Sequence, residues 1–144
     1  MLSSEILPVL KAQLLAMEGY RQFPYKDTAG KLTIGIGRNI QDVGISMQEA
    51  QFLLDDDITK CQTMLAAALQ CFNELDEVRQ MCLVNMCFNL GIDKFLEFKE
   101  MIECLNNHDY QGAAKAMQSS LWYQELSQRV TILSNMMASG EIKA

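Results

Sequence analysis

Glu18 and Asp27 stand nine residues apart, and Thr33 follows six residues later. Glu18 ends an apolar-periodic stretch and is followed by Gly19. Asp27 opens the turn sequence Asp27-Thr28-Ala29-Gly30, and Thr33 lies between Leu32 and Ile34. Two carboxyls and a hydroxyl across a groove can break a glycosidic bond. One carboxyl protonates the leaving oxygen, the other manages the opposite face of the sugar, and the hydroxyl orients a water. Glu18 has a physical reason to be the acid. It falls in the last turn of a helix, where the negative end of the macrodipole disfavours a carboxylate. Packing beside Tyr20 or Phe23 adds desolvation, which acts in the same direction. Gly35 and Gly37 share the strand face of Thr33 and leave room for a sugar against the backbone. Spacing alone fits two solvated surface acids equally well, so both readings stand at this point.

The elements that must hold these residues follow from periodicity. Leu7, Leu10, Leu14 and Met17 recur at helical spacing, which predicts a helix from about Ser4 to Glu18 with Gly19 as its stop. Leu32, Ile34 and Ile36 alternate with Thr33, Gly35 and Gly37, the period of a strand after a turn, so a small antiparallel hairpin is expected. Ser46 with Glu49 three residues on is a capping-box signature. The helix it opens is expected to reach about Gln70 and to connect two lobes. Asn73 is the expected cap of the next helix, which runs to Leu90 and stops at Gly91. Further helices are expected at about Lys94–Asn106, Asp109–Ser119 and Trp122–Ser139, with Gly140 ending the last. The fold class is α+β and mostly helical. One domain is expected over 1–144, with a hairpin lobe at about 19–58 and a helical lobe at about 70–144 that also takes the N-terminal helix.

Composition narrows the function. The chain has 144 residues, 49% of them hydrophobic, enough for one sizeable core. A net charge of −6 argues against nucleic-acid binding and against a basic membrane-surface role. Cys61, Cys71, Cys82, Cys87 and Cys104 show no C-x-x-C spacing and read as free, mostly buried thiols. The single histidine, His108, reads as a surface loop residue, so no metal site is expected. The ten methionines read as core packing on the helices. No signal peptide and no membrane-spanning run are expected, which places the chain in a cytoplasm before any release.

Several segments carry a resemblance. Glu18-Gly19, then Tyr25-Lys26-Asp27-Thr28-Ala29-Gly30, then Leu32-Thr33-Ile34-Gly35-Ile36-Gly37 resembles the active-site segment of the T-even-type phage lysozymes, the endolysins of glycoside hydrolase family 24. The likeness continues in order through Ile45-Ser46-Met47-Gln48-Glu49-Ala50, Leu75-Asp76-Glu77-Val78-Arg79, Asn85-Met86-Cys87-Phe88-Asn89-Leu90-Gly91 and Trp122-Tyr123-Gln124 to Arg129. It implies a lysozyme-like fold and cleavage of the β-1,4 link between N-acetylmuramic acid and N-acetylglucosamine in peptidoglycan, without a cofactor. It implies Glu18 as general acid, Asp27 as support for the attacking water or the cationic transition state, and Thr33 as holder of that water. Arg129 matches an arginine beside the acid, where its charge would oppose the helix dipole. Asn39 and Phe88 match positions that touch sugar.

Two departures stand out. The segment Asn39 to Gly44 is shorter than in the T-even relative, which reduces the lobe over the cleft. Arg38 stands where the family often has a structural histidine paired with an aspartate that aligns with Asp57, so an Arg38–Asp57 ion pair is expected. The charges also suggest a local basic lip. From Glu18 to Gln41 the cations Arg21, Lys26, Lys31 and Arg38 face only Glu18 and Asp27.

The implied role is host lysis by a phage or prophage. The partners would be peptidoglycan and a holin-type membrane protein for release, and the chain would be a monomer that acts on the wall in the periplasm. A secreted antibacterial toxin with the same chemistry is one alternative. A non-catalytic wall-binding or scaffold protein on the same fold is another.

Overall fold

The computed structural model describes residues 1–142 and divides the chain into two compact units, one over Met1–Gln51 and one from Phe52 onward. The first unit begins with helix α1, Ile6–Glu18, which stops where Gly19 takes φ 72°. None of the residues of α1 is buried. A three-stranded antiparallel sheet follows, β1 (Arg21–Lys26), β2 (Leu32–Gly35) and β3 (Arg38–Asn39), in the order β1-β2-β3. Tyr25 pairs with Thr33 and Lys26 with Leu32, whereas Arg21 pairs with Gly35, so β1 carries a bulge between Arg21 and Tyr25. Ile34 pairs with Arg38 and Thr33 with Asn39.

Helix α2, Met47–Ala68, starts in the first unit and continues in the second. At 22 residues it spans roughly 33 Å. Its capping box forms as the sequence predicts. The Glu49 N–H donates to Ser46 Oγ at 3.1 Å, and the Ser46 N–H donates to a Glu49 carboxylate oxygen at 2.7 Å.

The second unit holds the hydrophobic core. Helices α3 (Glu77–Leu90), α4 (Ile92–Leu96), α5 (Lys99–Asn106), α6 (Tyr110–Gln118), α7 (Leu121–Glu125) and α8 (Ser127–Ser139) pack around Leu65, Leu83, Met86, Phe95, Met101, Leu105, Met117 and Met137. Four of the five cysteines are buried and all are free. Burial pushes the Cys82 and Cys87 thiols up to about 12, and the neighbouring Cys61 adds to the effect at Cys87. His108 is exposed, with φ 55°.

Three sequence expectations need correction. The cap of α3 is Asp76, whose side chain accepts the Arg79 N–H, while Asn73 lies in a 3-10 turn at Phe72–Glu74. Phe72 and Leu75 are both buried, and the chain extends at Leu75 (ψ 149°) before the helix can begin. The expected helices over Lys94–Asn106 and Trp122–Ser139 are each two helices, broken at Phe98 (φ −77°, ψ 59°) and Leu126 (φ −130°, ψ 51°). The first break lets Phe98 meet Trp122 edge-on at 6.1 Å while Phe95 and Met101 stay buried. Of the ten methionines, five (Met86, Met101, Met117, Met136, Met137) are core residues and the rest are exposed.

Candidate active site

The sheet of the first unit is a short scaffold whose turn residues are hydrogen-bonded in detail. Asp27 closes the β1–β2 turn. Its Oδ1 accepts the N–H groups of Ala29 (2.9 Å) and Lys31 (2.8 Å), and its own N–H donates to the Lys31 carbonyl at 2.9 Å. Thr33 is the one buried residue of the first unit, at 3% exposure, and its Oγ1 donates to the same Lys31 carbonyl at 3.0 Å. The backbone of Lys31, through its N–H and its carbonyl, therefore ties Asp27 to Thr33. Each keeps acceptor capacity beyond these bonds: Oδ2 of Asp27 and the lone pairs of the Thr33 hydroxyl.

Glu18 is exposed at the end of α1, and its carboxyl lies on the backbone at Gly37. A β-carbon at Gly37 would stand 2.8 Å from Glu18 Oε2 and 2.9 Å from Cδ. The expected packing against Tyr20 or Phe23 does not bury Glu18, which is itself exposed. Those rings are 67% and 72% exposed, Tyr20 just before β1 and Phe23 within it. Of the two glycines expected to clear space for a sugar, only Gly35 faces open space, since Glu18 occupies that place at Gly37.

Asn39 is bound into the turn that follows β3. Its Oδ1 accepts the Asp42 N–H at 3.0 Å and its Nδ2 donates to Asp42 Oδ2 at 3.1 Å. Arg38 takes Glu49 as its carboxylate, where the sequence pointed to Asp57. Glu49 is presented at the first turn of α2, already oriented by the Ser46 N–H, and Arg38 also donates to the Gly44 carbonyl at 3.2 Å. Lys31 pairs with Asp42 at 3.1 Å. Two of the four lip cations are thus compensated by acids that lie just past Gln41. Arg21 sits over the Tyr25 ring at 4.2 Å.

Phe88 and Arg129 belong to the second unit and share one groove of about 550 Å³. Leu54, Ile58, Met81 and Val84 give it an apolar wall, and Asn85 lies beside Arg129. Phe88 is 46% exposed at its side. Arg129 Nε donates to Asn85 Oδ1 at 3.1 Å, which fixes the plane of the guanidinium and leaves its outer nitrogens to a ligand. The sequence reading gives Asn85 no role and takes Gly37 as room for a sugar, where Glu18 lies instead. Asn85 precedes Phe88 by three residues on α3, a spacing that sets both on one helix face and could have found it. No group of three or more potential metal-ligating side chains occurs among the described residues.

Residues 15–136 match the family described as Phage lysozyme. The chain is similar to "Probable T4-type lysozyme 1" of Dictyostelium discoideum, at 26% identity over 94% of this chain and 96% of that protein. It is also similar to "Pre-baseplate central spike protein Gp5" of Enterobacteria phage T4, at 28% identity over 88% of this chain and 27% of that protein. A third relative is the "SAR-endolysin" of Escherichia phage Mu, at 27% identity over 74% of this chain and 63% of that protein.

Proposed function

We propose that this chain, which belongs to the phage lysozyme family and is a lysozyme, cleaves the β-1,4 bond between N-acetylmuramic acid and N-acetylglucosamine with Glu18, Asp27 and Thr33. Glu18 gives its proton to the leaving glycosidic oxygen. Thr33, whose hydroxyl proton is committed to the Lys31 carbonyl, accepts a hydrogen bond from water. Asp27 supports that water or the positive charge that develops on the sugar ring. Asn39, Phe88 and Arg129 are the proposed sugar-binding residues. Phe88 offers an exposed ring and Arg129 a guanidinium oriented by Asn85. The two units are proposed to work as one lysozyme domain over 1–144.

The observation that carries the residue assignment is the shared Lys31 backbone, which holds Asp27 and Thr33 in fixed relation through three hydrogen bonds. Host lysis is the proposed role, supported by the likeness to the SAR-endolysin of phage Mu. The proposed course runs from host cytoplasm to wall as a monomer, with a holin-type membrane protein opening the way. No described helix is long and apolar enough to cross a membrane.

The bond assignment is tested by digesting purified peptidoglycan, reducing the new ends with borohydride and hydrolysing to amino sugars. A muramidase converts muramic acid to its alcohol. Glucosamine alcohol instead, or no new reducing ends, overturns the proposal.

A further inference from the structure

We infer that Gly37 is a positioning residue for the Glu18 carboxyl, acting by the side chain it lacks. The inference rests on the reading of Glu18 as the acid. A glutamate at a helix end has three rotatable torsions, and ordering them costs entropy. In the first unit the hydrogen-bonded carboxylates are Asp27, Asp42 and Glu49. The Glu18 side chain instead runs across the space that a Gly37 side chain would fill. Its Cγ, Cδ and Oε2 all lie within 3.0 Å of where a Gly37 β-carbon would stand, so the outer half of the side chain runs along the bare backbone. That backbone is well fixed, because Gly37 connects β2 to β3 beside the Ile34–Arg38 pair.

Three glycines of this unit share nearly the same φ, Gly35 at 68°, Gly37 at 67° and Gly44 at 65°. A β-carbon meets nothing within 4 Å at Gly35 or Gly44. Backbone strain is therefore common to all three, and contact with an acid belongs to Gly37 alone. A methyl group at position 37 would displace the far end of a flexible side chain, which costs the fold little. A general acid has to lie within about 2.6–3.2 Å of the oxygen it protonates, so the same displacement costs the reaction much.

The test compares Gly37→Ala with Gly44→Ala in the full chain, using soluble peptidoglycan oligomers. The two variants should lose similar thermal stability. Gly37→Ala should lower kcat by roughly tenfold or more with KM held, the expected scale for a displaced reacting group. Gly44→Ala should stay within about twofold, since a β-carbon there meets nothing within 4 Å and so displaces no side chain. Equal kcat losses in the two variants overturn the inference. So does a rise in KM with kcat held, which would make Gly37 a clearance for sugar. A variant-free measurement stands beside these. The Gly37 amide and α-proton resonances of the wild type should follow the protonation of Glu18 and lose that pH response in Glu18→Gln. Gly37 resonances blind to Glu18 overturn the contact even if the variant fails to fold. If Glu18→Gln keeps full hydrolysis, the acid reading falls by that result alone, and the resonances still judge the contact.

Discussion

Arg38 holds Glu49 with both of its outer nitrogens, Nη1 on Oε2 at 3.1 Å and Nη2 on Oε1 at 2.6 Å. The pair joins the last strand of the sheet to the first turn of α2, and the Ser46 N–H shares the same carboxylate. The Arg38 guanidinium, with the Ser46 N–H second, holds the Glu49 carboxyl down at about 2, against an ordinary 4.5. Arginine stays charged at any working pH, so only the carboxylate titrates.

A glutamate depressed in the folded state stabilises it above its unfolded pKa and ceases to do so as pH falls through the folded value. The contribution of Glu49 is therefore complete above about 4.5 and lost on acidification toward about 2. Glu49→Gln should melt earlier than wild type at pH 7. The gap should close as thermal melts are taken down to pH 2. A gap that is constant over that range would show that the ion pair contributes nothing that titrates.

Arg79 does for the second unit what Glu49 does for the first. Its Nε donates to the Met137 carbonyl at 2.7 Å and its Nη2 to the Ala138 carbonyl at 3.1 Å, so it satisfies the C-terminal carbonyls of α8. Its guanidinium lies 3.8 Å over the Tyr110 ring, and Nη1 pairs with Asp76 at 2.8 Å. Arg79→Ala should destabilise the protein by about 2–3 kcal/mol in urea unfolding, the scale for losing charged hydrogen bonds to part-buried partners. Arg79→Lys should recover little, because an ammonium cannot span two carbonyls and stack on the ring. Full recovery by lysine would reduce the role of Arg79 to its charge.

Charge divides sharply along the chain. Residues 1–51 carry as many cations (Lys11, Arg21, Lys26, Lys31, Arg38) as anions (Glu5, Glu18, Asp27, Asp42, Glu49), so the whole net charge of −6 falls on the rest. Lys31 and Arg38 are paired, which leaves Arg21, stacked on the Tyr25 ring, and Lys26 as the lip cations with no carboxylate within 4 Å among the described residues. Lys26→Ala should slow hydrolysis of the anionic wall at low ionic strength, with the effect fading near 0.15 M salt, where screening acts within roughly 8 Å. Lys31→Ala should slow it less, since its charge is already compensated. Equal slowing by both, or by Lys99→Ala, would show that net charge and not a local lip governs the encounter.

Local chemistry explains which parts of this fold were legible in the sequence. The Ser46–Glu49 capping box and the glycine stops at 19, 91 and 140 use neighbours in the chain, and all four are in place. The breaks at Phe98 and Leu126 were not legible. Neither is a glycine or proline, and the break at Phe98 goes with an aromatic partner far along the chain, Trp122. The partner of Arg38 was misread because an acid aligned by resemblance lost to one already oriented by a helix cap. At the candidate site, the types of Glu18, Asp27 and Thr33 could be read from sequence. The Lys31 carbonyl that joins two of them, and the Gly37 surface under the third, could not, because backbone leaves no signature in side-chain spacing.

The most direct measurement is the rate at which Glu18→Gln clears a suspension of permeabilised bacteria. Glutamine keeps the size and hydrogen bonding of the acid and removes the proton it would donate. The account predicts a fall of at least ~100-fold, the scale for losing a general acid, with the melting profile unchanged. A folded Glu18→Gln protein that clears cells at near the wild-type rate would contradict it.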